Sequence, residues 1–216
     1  NGPPTKFVHV AGTSGKGSVC RFLEAGYGLV GTAASFTGPH LFDYRERFSV
    51  NGKAVSQREI TAAWEEVVRP LAVRETMKNE THTPTYSDIN TLLSLILAER
   101  RGVEWGAIET GHGGMYDPRV VLDVEATVLT NVGDDHARAI GSESWQRAME
   151  KSGIARKDVP LFTTVPEGIE LDVIRQMTDH AGAPLHVVTP QRVDAVRAEL
   201  DPVVIAGLEE AGWVAF

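Results

Sequence analysis

A glycine-rich loop between an apolar run and a helical pattern constrains this chain more than any other feature. The segment KFVHVAGTSGKGSVCRFL at 6–23 starts with apolar residues, continues with three glycines around Lys16, and then places Val19, Phe22 and Leu23 on one helical face. Glycines in such a turn let backbone N–H groups approach phosphate oxygens, and the N-terminus of the next helix favours negative charge. The segment therefore predicts a polyphosphate site at a strand–loop–helix junction.

The loop departs from the common P-loop pattern G-x-x-x-x-G-K-[ST]. That pattern needs glycine at position 10 and serine or threonine at position 17, where this chain has Val10 and Gly17. The variant G-T-x-G-K-G-S predicts that Lys16 reaches the terminal phosphates and that the Ser18 hydroxyl binds Mg²⁺. The predicted phosphate-binding residues are Gly12, Thr13, Ser14, Gly15, Lys16, Gly17 and Ser18. The alternative is a glycine-rich turn without a ligand.

Composition narrows the possible partners and compartments. The chain has 216 residues and a net charge of −8, so neither a nucleic acid nor an anionic membrane is expected as its main partner. Because Cys20 is the one cysteine, a disulfide framework is excluded. We expect Cys20 to lie on the inward-facing side of its helix and to have a packing role. We find neither a signal-peptide pattern nor an apolar run of about 18–20 residues, which predicts a cytoplasmic protein. Because the first residue is Asn1, we expect native N-terminal sequence to be missing.

The spacing of apolar residues predicts strands that alternate with helices. Predicted strands lie at 6–11, 33–36, 104–109, 124–131, 159–164 and 184–188, with a hairpin at 46–56 around Asn51-Gly52. Predicted helices lie at 17–29, from a capping box at Ser56 and Glu59 to about 77 with a bend at Pro70, from Thr85 or Ser87 onward, at 143–156 and at 168–181. Such alternation predicts an α/β fold with a mainly parallel sheet flanked by helices.

Polar residues follow three of the predicted strands, at the edge where ligands bind in parallel sheets. The first strand ends in the phosphate loop, the second ends at Glu109, and the third is followed by the segment that contains His136. A carboxylate and an imidazole beside a Mg²⁺-binding hydroxyl make a candidate divalent-metal site, and Lys151 on the next helix is in position to join it. The alternatives are solvated strand-end residues and, for Lys151, a surface cation on a helix that also carries Arg147.

Five sequence blocks resemble the folylpolyglutamate synthase/dihydrofolate synthase branch of the Mur ligase family. They are HVAGTSGKGSVC at 9–20, PHLFDYRERFSVNGKAVS at 39–56, IETGHGG-x-x-D at 108–117, TNVGDDH at 130–136 and EKSGIARKDVPL at 150–161. The resemblance implies the P-loop NTPase-like central domain of the Mur ligases and a role in folate metabolism. It predicts an ATP-binding domain over 1–188 and leaves 189–216 unassigned.

The resemblance also implies roles for individual residues. Gly12–Ser18 match the residues that bind the ATP phosphates, with Lys16 catalytic and Ser18 also on Mg²⁺. Glu109 matches the glutamate of the first metal site, and His136 matches the histidine of the second, which makes two Mg²⁺ sites. Lys151 matches a lysine that these enzymes carbamylate, and carbamylation requires that the surroundings depress the lysine pKa. The segment 37–47 matches a loop beside the pterin and the metal.

The reaction that the resemblance implies is amide formation driven by ATP. The family transfers the γ-phosphoryl group to a substrate carboxylate, and an amine, usually that of glutamate, attacks the acyl phosphate. Such chemistry depends on clustered cations and on positioning, without a side-chain nucleophile. The implied substrates are ATP, a folate-type carboxylate and glutamate. Two alternatives stay open: a P-loop kinase or hydrolase acting on another small carboxylate, and a non-catalytic nucleotide-binding fragment or degenerate paralogue.

Several positions depart from the family pattern. Ser14 stands where the family usually has asparagine, and Gly38 replaces a serine that helps to hold the first metal, for which Thr37 is a candidate substitute. The stretch G-G-R-L-D-A-T-N becomes G-G-M-Y-D-P-R-V, which keeps only Asp117 of its polar residues, and Ala137 replaces a threonine. We find no H-Q-x-x-N-A-x-x-A segment and no C-terminal amino-acid-binding domain. We therefore expect an N-terminal ATPase domain that ligates only as part of a longer chain.

Overall fold

The sheet predicted from the sequence is present and mainly parallel. The computed structural model describes residues 4–78, 83–134 and 140–199. The strands are β1 Lys6–Ala11, β2 Ala33–Phe36, β3 Phe48–Val50, β4 Lys53–Ala54, β5 Trp105–Glu109, β6 Val124–Leu129, β7 Leu161–Thr163 and β8 Leu185–Val187. They form one eight-stranded sheet in the order β4-β3-β2-β5-β1-β6-β7-β8. In this order, each strand from β2 to the β8 edge pairs in parallel with the next. At one edge, β3 pairs antiparallel with both β2 and β4.

Helices connect the strands largely where the apolar pattern predicts them. Their bounds are α1 Lys16–Tyr27, α2 Gln57–Ala63, α3 Arg69–Lys78, α4 Tyr86–Arg100, α5 Ser144–Ser152, α6 Ile169–Ala181 and α7 Pro190–Glu199. The capping box of Ser56 and Glu59 is confirmed, and Thr85 caps α4. None of these helices, within the described ranges, is long and apolar enough to cross a membrane.

Two helix predictions differ from the structure. A π-helical turn, Trp64–Val68, joins α2 to α3 just before Pro70, which fits a residue that cannot donate a backbone hydrogen bond. Helix α5 ends at Ser152 rather than 156, with Gly153 as its C-cap residue. A side chain at Gly153 would collide with Met115 of the loop after β5, so this position requires glycine. Helix α7 lies in the segment that the sequence left unassigned.

A buried carboxylate holds the hairpin against α1. The predicted turn is confirmed, with Asn51 at φ 49° and Gly52 at φ 72°. Glu24 of α1 accepts hydrogen bonds from Ser49 Oγ at 2.7 Å and from the Gly52 N–H at 2.8 Å through one oxygen, and from Ser35 Oγ at 2.5 Å through the other. These bonds fix the antiparallel edge next to the helix that begins at the phosphate loop.

Side chains of the central strand β1 alternate between the two faces of the sheet. Phe7 packs into a cluster with residues of α4, whereas Val8 and Val10 pack with Cys20 of α1. Cys20 is fully buried, and burial raises the pKa of its thiol, so the predicted packing role is confirmed. Helices therefore cover both faces, and the ligand-binding edge lies at the carboxyl ends of β1, β5 and β6.

Candidate active site

Two glycines give the loop after β1 its shape. Gly15 has φ 79°, and Gly12 has φ 143° with the position of a Cβ only 1.9 Å from Thr130 Oγ1. The short distance to Thr130, at the end of β6, and the positive φ each require glycine at position 12, because a larger residue would collide and would be strained. The N-cap residue of α1 is Gly15, which has no side chain to cap the helix, so the first N–H groups of α1 are open to an acceptor. This geometry is the one that phosphate binding requires.

Asn131, directly after β6, holds the loop in place. Its Oδ1 accepts hydrogen bonds from the N–H groups of Thr13 at 3.2 Å and Ser14 at 3.0 Å, and its Nδ2 donates to the Ser14 carbonyl. The Thr130 hydroxyl also donates to that carbonyl, at 2.7 Å. This asparagine was not among the residues predicted for the site. A polar residue that ends the strand next to the loop was the available signal.

Lys16 and Glu109 come together at this edge, as the strand-end argument expects. Lys16 Nζ donates to the carbonyl oxygens of Gly12 at 3.0 Å and Thr13 at 3.2 Å and lies 3.8 Å from Glu109 Oε1. Glu109 is 7% exposed, and its Oε2 accepts a hydrogen bond from the Gly38 N–H at 3.0 Å. Burial raises the pKa of Glu109, although that hydrogen bond and nearby cations oppose the shift.

Two cavities meet at Glu109. The smaller, of about 410 Å³, is lined by the first turn of α1 and includes Gly17 and Ser18. The larger, of about 1100 Å³, is lined by both aromatic and polar residues. Its aromatic residues are Phe36, Phe48, Tyr86 and Tyr116, and its polar residues include Arg47, Ser87, Asn90, Thr110, Asp117 and Arg119. Both cavities are lined by Thr37, Gly38, Pro39 and Glu109, so a ligand in one can face a ligand in the other.

An arginine occupies the space that a side chain at position 38 would need. A Cβ on Gly38 would lie 2.5 Å from Arg47 Nη1. The Arg47 guanidinium lies over the Tyr86 ring, 5.4 Å from its centroid, and Nε donates to His40 Nδ1 at 2.9 Å. Because Gly38 has no side chain, the Arg47 guanidinium can lie beside it, next to the junction of the two cavities.

The structure excludes one reading of Lys151, and His136 lies outside the described residues. Arg147 is 3% exposed and Lys151 is 0% exposed, so the shared face of α5 is buried and the surface-cation alternative is wrong. The carbonyl of Lys151 lies 2.6 Å from the position of a Cβ on Gly114, which places the loop after β5 directly on this helix. Among the described residues, no three His, Cys, Asp or Glu side chains converge as a metal-binding group.

A buried ion pair forms part of the large cavity wall. Asp117 Oδ2 accepts hydrogen bonds from the Gly111 N–H at 2.9 Å and from Arg119 Nη1 at 3.0 Å. Asp117 Oδ1 accepts from the N–H and Nη1 of Arg119, both at 3.0 Å. Arg119 Nη1 also donates to Ser87 Oγ at 3.1 Å. This ion pair was not predicted from the sequence, in which the stretch stands out only as a departure from a family pattern.

His9 lies beneath this wall in β1. Its Nε2 is 3.0 Å from Thr110 Oγ1, whereas its buried Nδ1 has no hydrogen-bond partner in the part of the chain that the structure describes. Burial lowers the pKa of His9 to about 3, with the neighbouring arginines 119 and 156 adding to the effect and Asp117 opposing it. The imidazole is therefore neutral at physiological pH, and its place inside the sheet gives it a structural role.

Comparison with known proteins gives strong matches over most of the chain. The dihydrofolate synthase/folylpolyglutamate synthase of Bacillus subtilis is 36% identical over 192 residues, which cover 85% of this chain and 43% of that protein. The structure of E. coli FolC in complex with DHPP and ADP matches with a TM-score of 0.75 and 29% identity, over 85% of this chain and 42% of that one. No protein-family model matches the chain.

A third match is a protein whose structure is known with two nucleotides. Mycobacterium tuberculosis folylpolyglutamate synthase complexed with ADP and AMPPCP matches with a TM-score of 0.79 and 25% identity, over 85% of this chain and 42% of that one. The chain thus spans less than half the length of the relatives it matches.

Proposed function

We propose that this chain, which is homologous to folylpolyglutamate and dihydrofolate synthases over about 85% of its length, is the ATP-binding part of an ATP-dependent carboxylate–amine ligase. The observation that carries the proposal is the meeting of two cavities at Glu109. One is lined by the turn that follows the phosphate loop, and the other is large and partly aromatic. A phosphoryl donor and a carboxylate acceptor would face each other at that junction.

ATP would bind with its phosphates on Gly12–Ser18. The uncapped N–H groups of α1 and the cation of Lys16 supply the positive end of the site. On binding, Lys16 would exchange its two carbonyl contacts for phosphate oxygens. The complexes of related proteins with ADP and AMPPCP support a nucleotide at this site.

The residues present fit a Mg²⁺ ion next to the phosphates. The Ser18 hydroxyl and the Glu109 carboxylate line the same small cavity, and oxygen atoms of this kind are the ligands that Mg²⁺ takes. The ion would neutralise charge on the phosphoryl oxygens. His136 remains the predicted ligand of a second ion, and Lys151, as a carbamate, remains a predicted metal ligand. Both remain predicted catalytic residues.

The acceptor carboxylate would belong to a folate-type substrate in the larger cavity. A volume of about 1100 Å³ lies at the upper end of the range for small-molecule sites, and aromatic side chains suit a flat ring. The γ-phosphoryl group passes to the substrate carboxylate, and the amine of glutamate then displaces phosphate from the acyl phosphate. Arg47, at the junction, is placed to hold the carboxylate before transfer.

Calorimetric titration with ATP at millimolar Mg²⁺ tests the nucleotide part of this proposal. We expect weak binding by the 216-residue chain and no binding by Lys16→Ala, with Lys53→Ala, an exposed hairpin lysine, as the matched control. Absence of binding by the unaltered chain would overturn the functional assignment. Glutamate ligation is expected only from a longer chain, so robust ligation by these residues alone would contradict the proposed division of labour.

A further inference from the structure

Arg119 has hydrogen-bond donors that the described residues leave unused. The residue is 8% exposed and lines the large cavity. Its side-chain bonds to Asp117 and Ser87 all come from Nη1. Among the described residues, Nε is buried without a partner and Nη2 donates to no acceptor. Because a guanidinium keeps its proton at any ordinary pH, these N–H groups are hydrogen-bond donors that lack acceptors in the described part of the chain.

Asp117 is already saturated with donors. A carboxylate offers about four lone-pair positions, and the bonds from Gly111 and Arg119 number two on each oxygen. The carboxylate is therefore not available to accept a hydrogen bond from a ligand. The pair as a whole is neutral and presents donors, not acceptors, to the cavity.

We propose that Arg119 is a specificity-determining residue, whose guanidinium donates to an oxygen or nitrogen acceptor of the substrate held in the large cavity. This inference rests on the proposed function, which places a folate-type molecule there. The wall selects a ligand group that accepts hydrogen bonds at this point and disfavours one that presents N–H donors. The acceptor on the substrate is either a ring carbonyl or a carboxylate, and binding experiments can distinguish these two groups.

Folic acid titrated calorimetrically into the 216-residue chain tests the inference. Arg119→Gln is expected to weaken folate binding at least about tenfold, since a charge-assisted hydrogen bond is lost, and to leave Mg·ATP affinity unchanged. Arg156→Gln is the matched control. Arg156 donates to the Val120 carbonyl at 2.9 Å, close to Arg119 in the chain, but lines neither cavity. Its loss should lower stability without changing folate affinity.

Two fragments of folic acid identify the acceptor. Loss of affinity for 2-amino-4-oxopteridine in Arg119→Gln would assign a ring acceptor, and loss for p-aminobenzoylglutamate would assign a carboxylate. Equal affinity of wild type and Arg119→Gln for folic acid and for both fragments would overturn the inference while leaving the proposed function intact. If the unaltered chain binds Mg·ATP but no folic acid, the folate part of the proposed function fails, and this inference fails with it.

A second variant covers the case in which Arg119→Gln does not fold. Arg119→Lys keeps the charge beside Asp117 but lacks the planar fork of the guanidinium. It is expected to melt within a few degrees of the wild type and still to lose folate affinity several-fold. Wild-type folate affinity in a folded Arg119→Lys protein would count against the proposed contact.

Discussion

Lys16 Nζ lies 3.8 Å from Glu109 Oε1 while it donates to the Gly12 carbonyl at 3.0 Å. The first contact joins the loop after β1 to the end of β5, and the second keeps the cation folded back on its own loop. The lysine is thus held between two acceptors at the point where the phosphates of ATP would lie. Binding of nucleotide must replace these contacts, so Lys16 and Glu109 act on each other before any ligand is present.

Replacing Glu109 by glutamine should separate stability from ligand binding. Burial raises the pKa of Glu109, so the folded state holds this proton to a higher pH than the unfolded state does. Stability is then lost as the pH rises from the ordinary carboxyl pKa through the folded value. Glu109→Gln removes that loss, so the stability of this variant relative to wild type should increase from pH 4 to pH 7. Chemical denaturation at pH intervals of ~1 unit measures this difference. Mg·ATP affinity should fall about tenfold or more.

Glu125→Gln is the control for this comparison, because Glu125 is exposed on β6. Its stability should follow the wild-type pH profile. Parallel profiles for wild type and Glu109→Gln would show that the Glu109 carboxyl titrates normally in the folded state.

Asn131→Ala should loosen the phosphate loop. The N–H groups of Thr13 and Ser14 lose their shared acceptor, which we expect to cost about 1 kcal/mol because water reaches part of the site. ATP affinity should fall as well, since the loop is no longer fixed before the ligand arrives. Asn131→Asp is the matched variant. It keeps the acceptor but adds negative charge near the phosphates, so it should lower ATP affinity more than stability.

Calorimetry and urea denaturation measure the two effects separately. An Asn131→Ala protein with wild-type ATP affinity and wild-type stability would contradict the role of this residue as the anchor of the loop.

The loop and the strands were predictable because their signals are local. The glycines around Lys16 and the apolar runs of β1, β5 and β6 each act within a few residues, and the rule that parallel strands end at one edge brought Glu109 to Lys16. The relation of Asn131 to Ser14 is not local. It depends on β6 being the neighbour of β1, an order that no short stretch of sequence encodes.

The buried charges were harder to predict for the same reason. Asp117 and Arg119 lie two residues apart, yet their pairing in a cavity wall depends on the turn between them and on Ser87 of α4. Lys151 has the sequence surroundings of a solvated helix face and is nevertheless fully buried, because the glycines after β5 let that loop pack onto α5. The roles of His136 and Lys151 as metal ligands stay predictions.

Gly38→Ser should restore a hydroxyl next to Glu109. A Cβ at this position would lie 2.5 Å from Arg47 Nη1, which is the far end of a flexible side chain, so the guanidinium should move and stability should change by less than about 1 kcal/mol. If the hydroxyl joins the metal site, the Mg²⁺ concentration needed for half-maximal ATP binding should fall. Gly38→Ala displaces Arg47 equally but adds no hydroxyl, and it should leave that concentration unchanged or raise it. Identical behaviour of the two variants would argue against a metal-binding role for position 38.

His9 should make the fold sensitive to acid. Burial lowers the pKa of His9 from 6.5 to about 3, so below pH 6.5 the unfolded chain takes up a proton that the folded chain does not. Stability should therefore decrease as the pH falls, by up to about 2 kcal/mol between pH 6.5 and pH 5 from this residue alone. His9→Gln should lose less stability over that interval, and His180→Gln, which alters an exposed histidine of α6, should follow the wild type. This dependence is opposite in sign to that of Glu109, so the two variants should diverge from wild type in opposite directions across the same titration. Parallel curves for wild type and His9→Gln would mean that the folded protein accommodates the imidazolium.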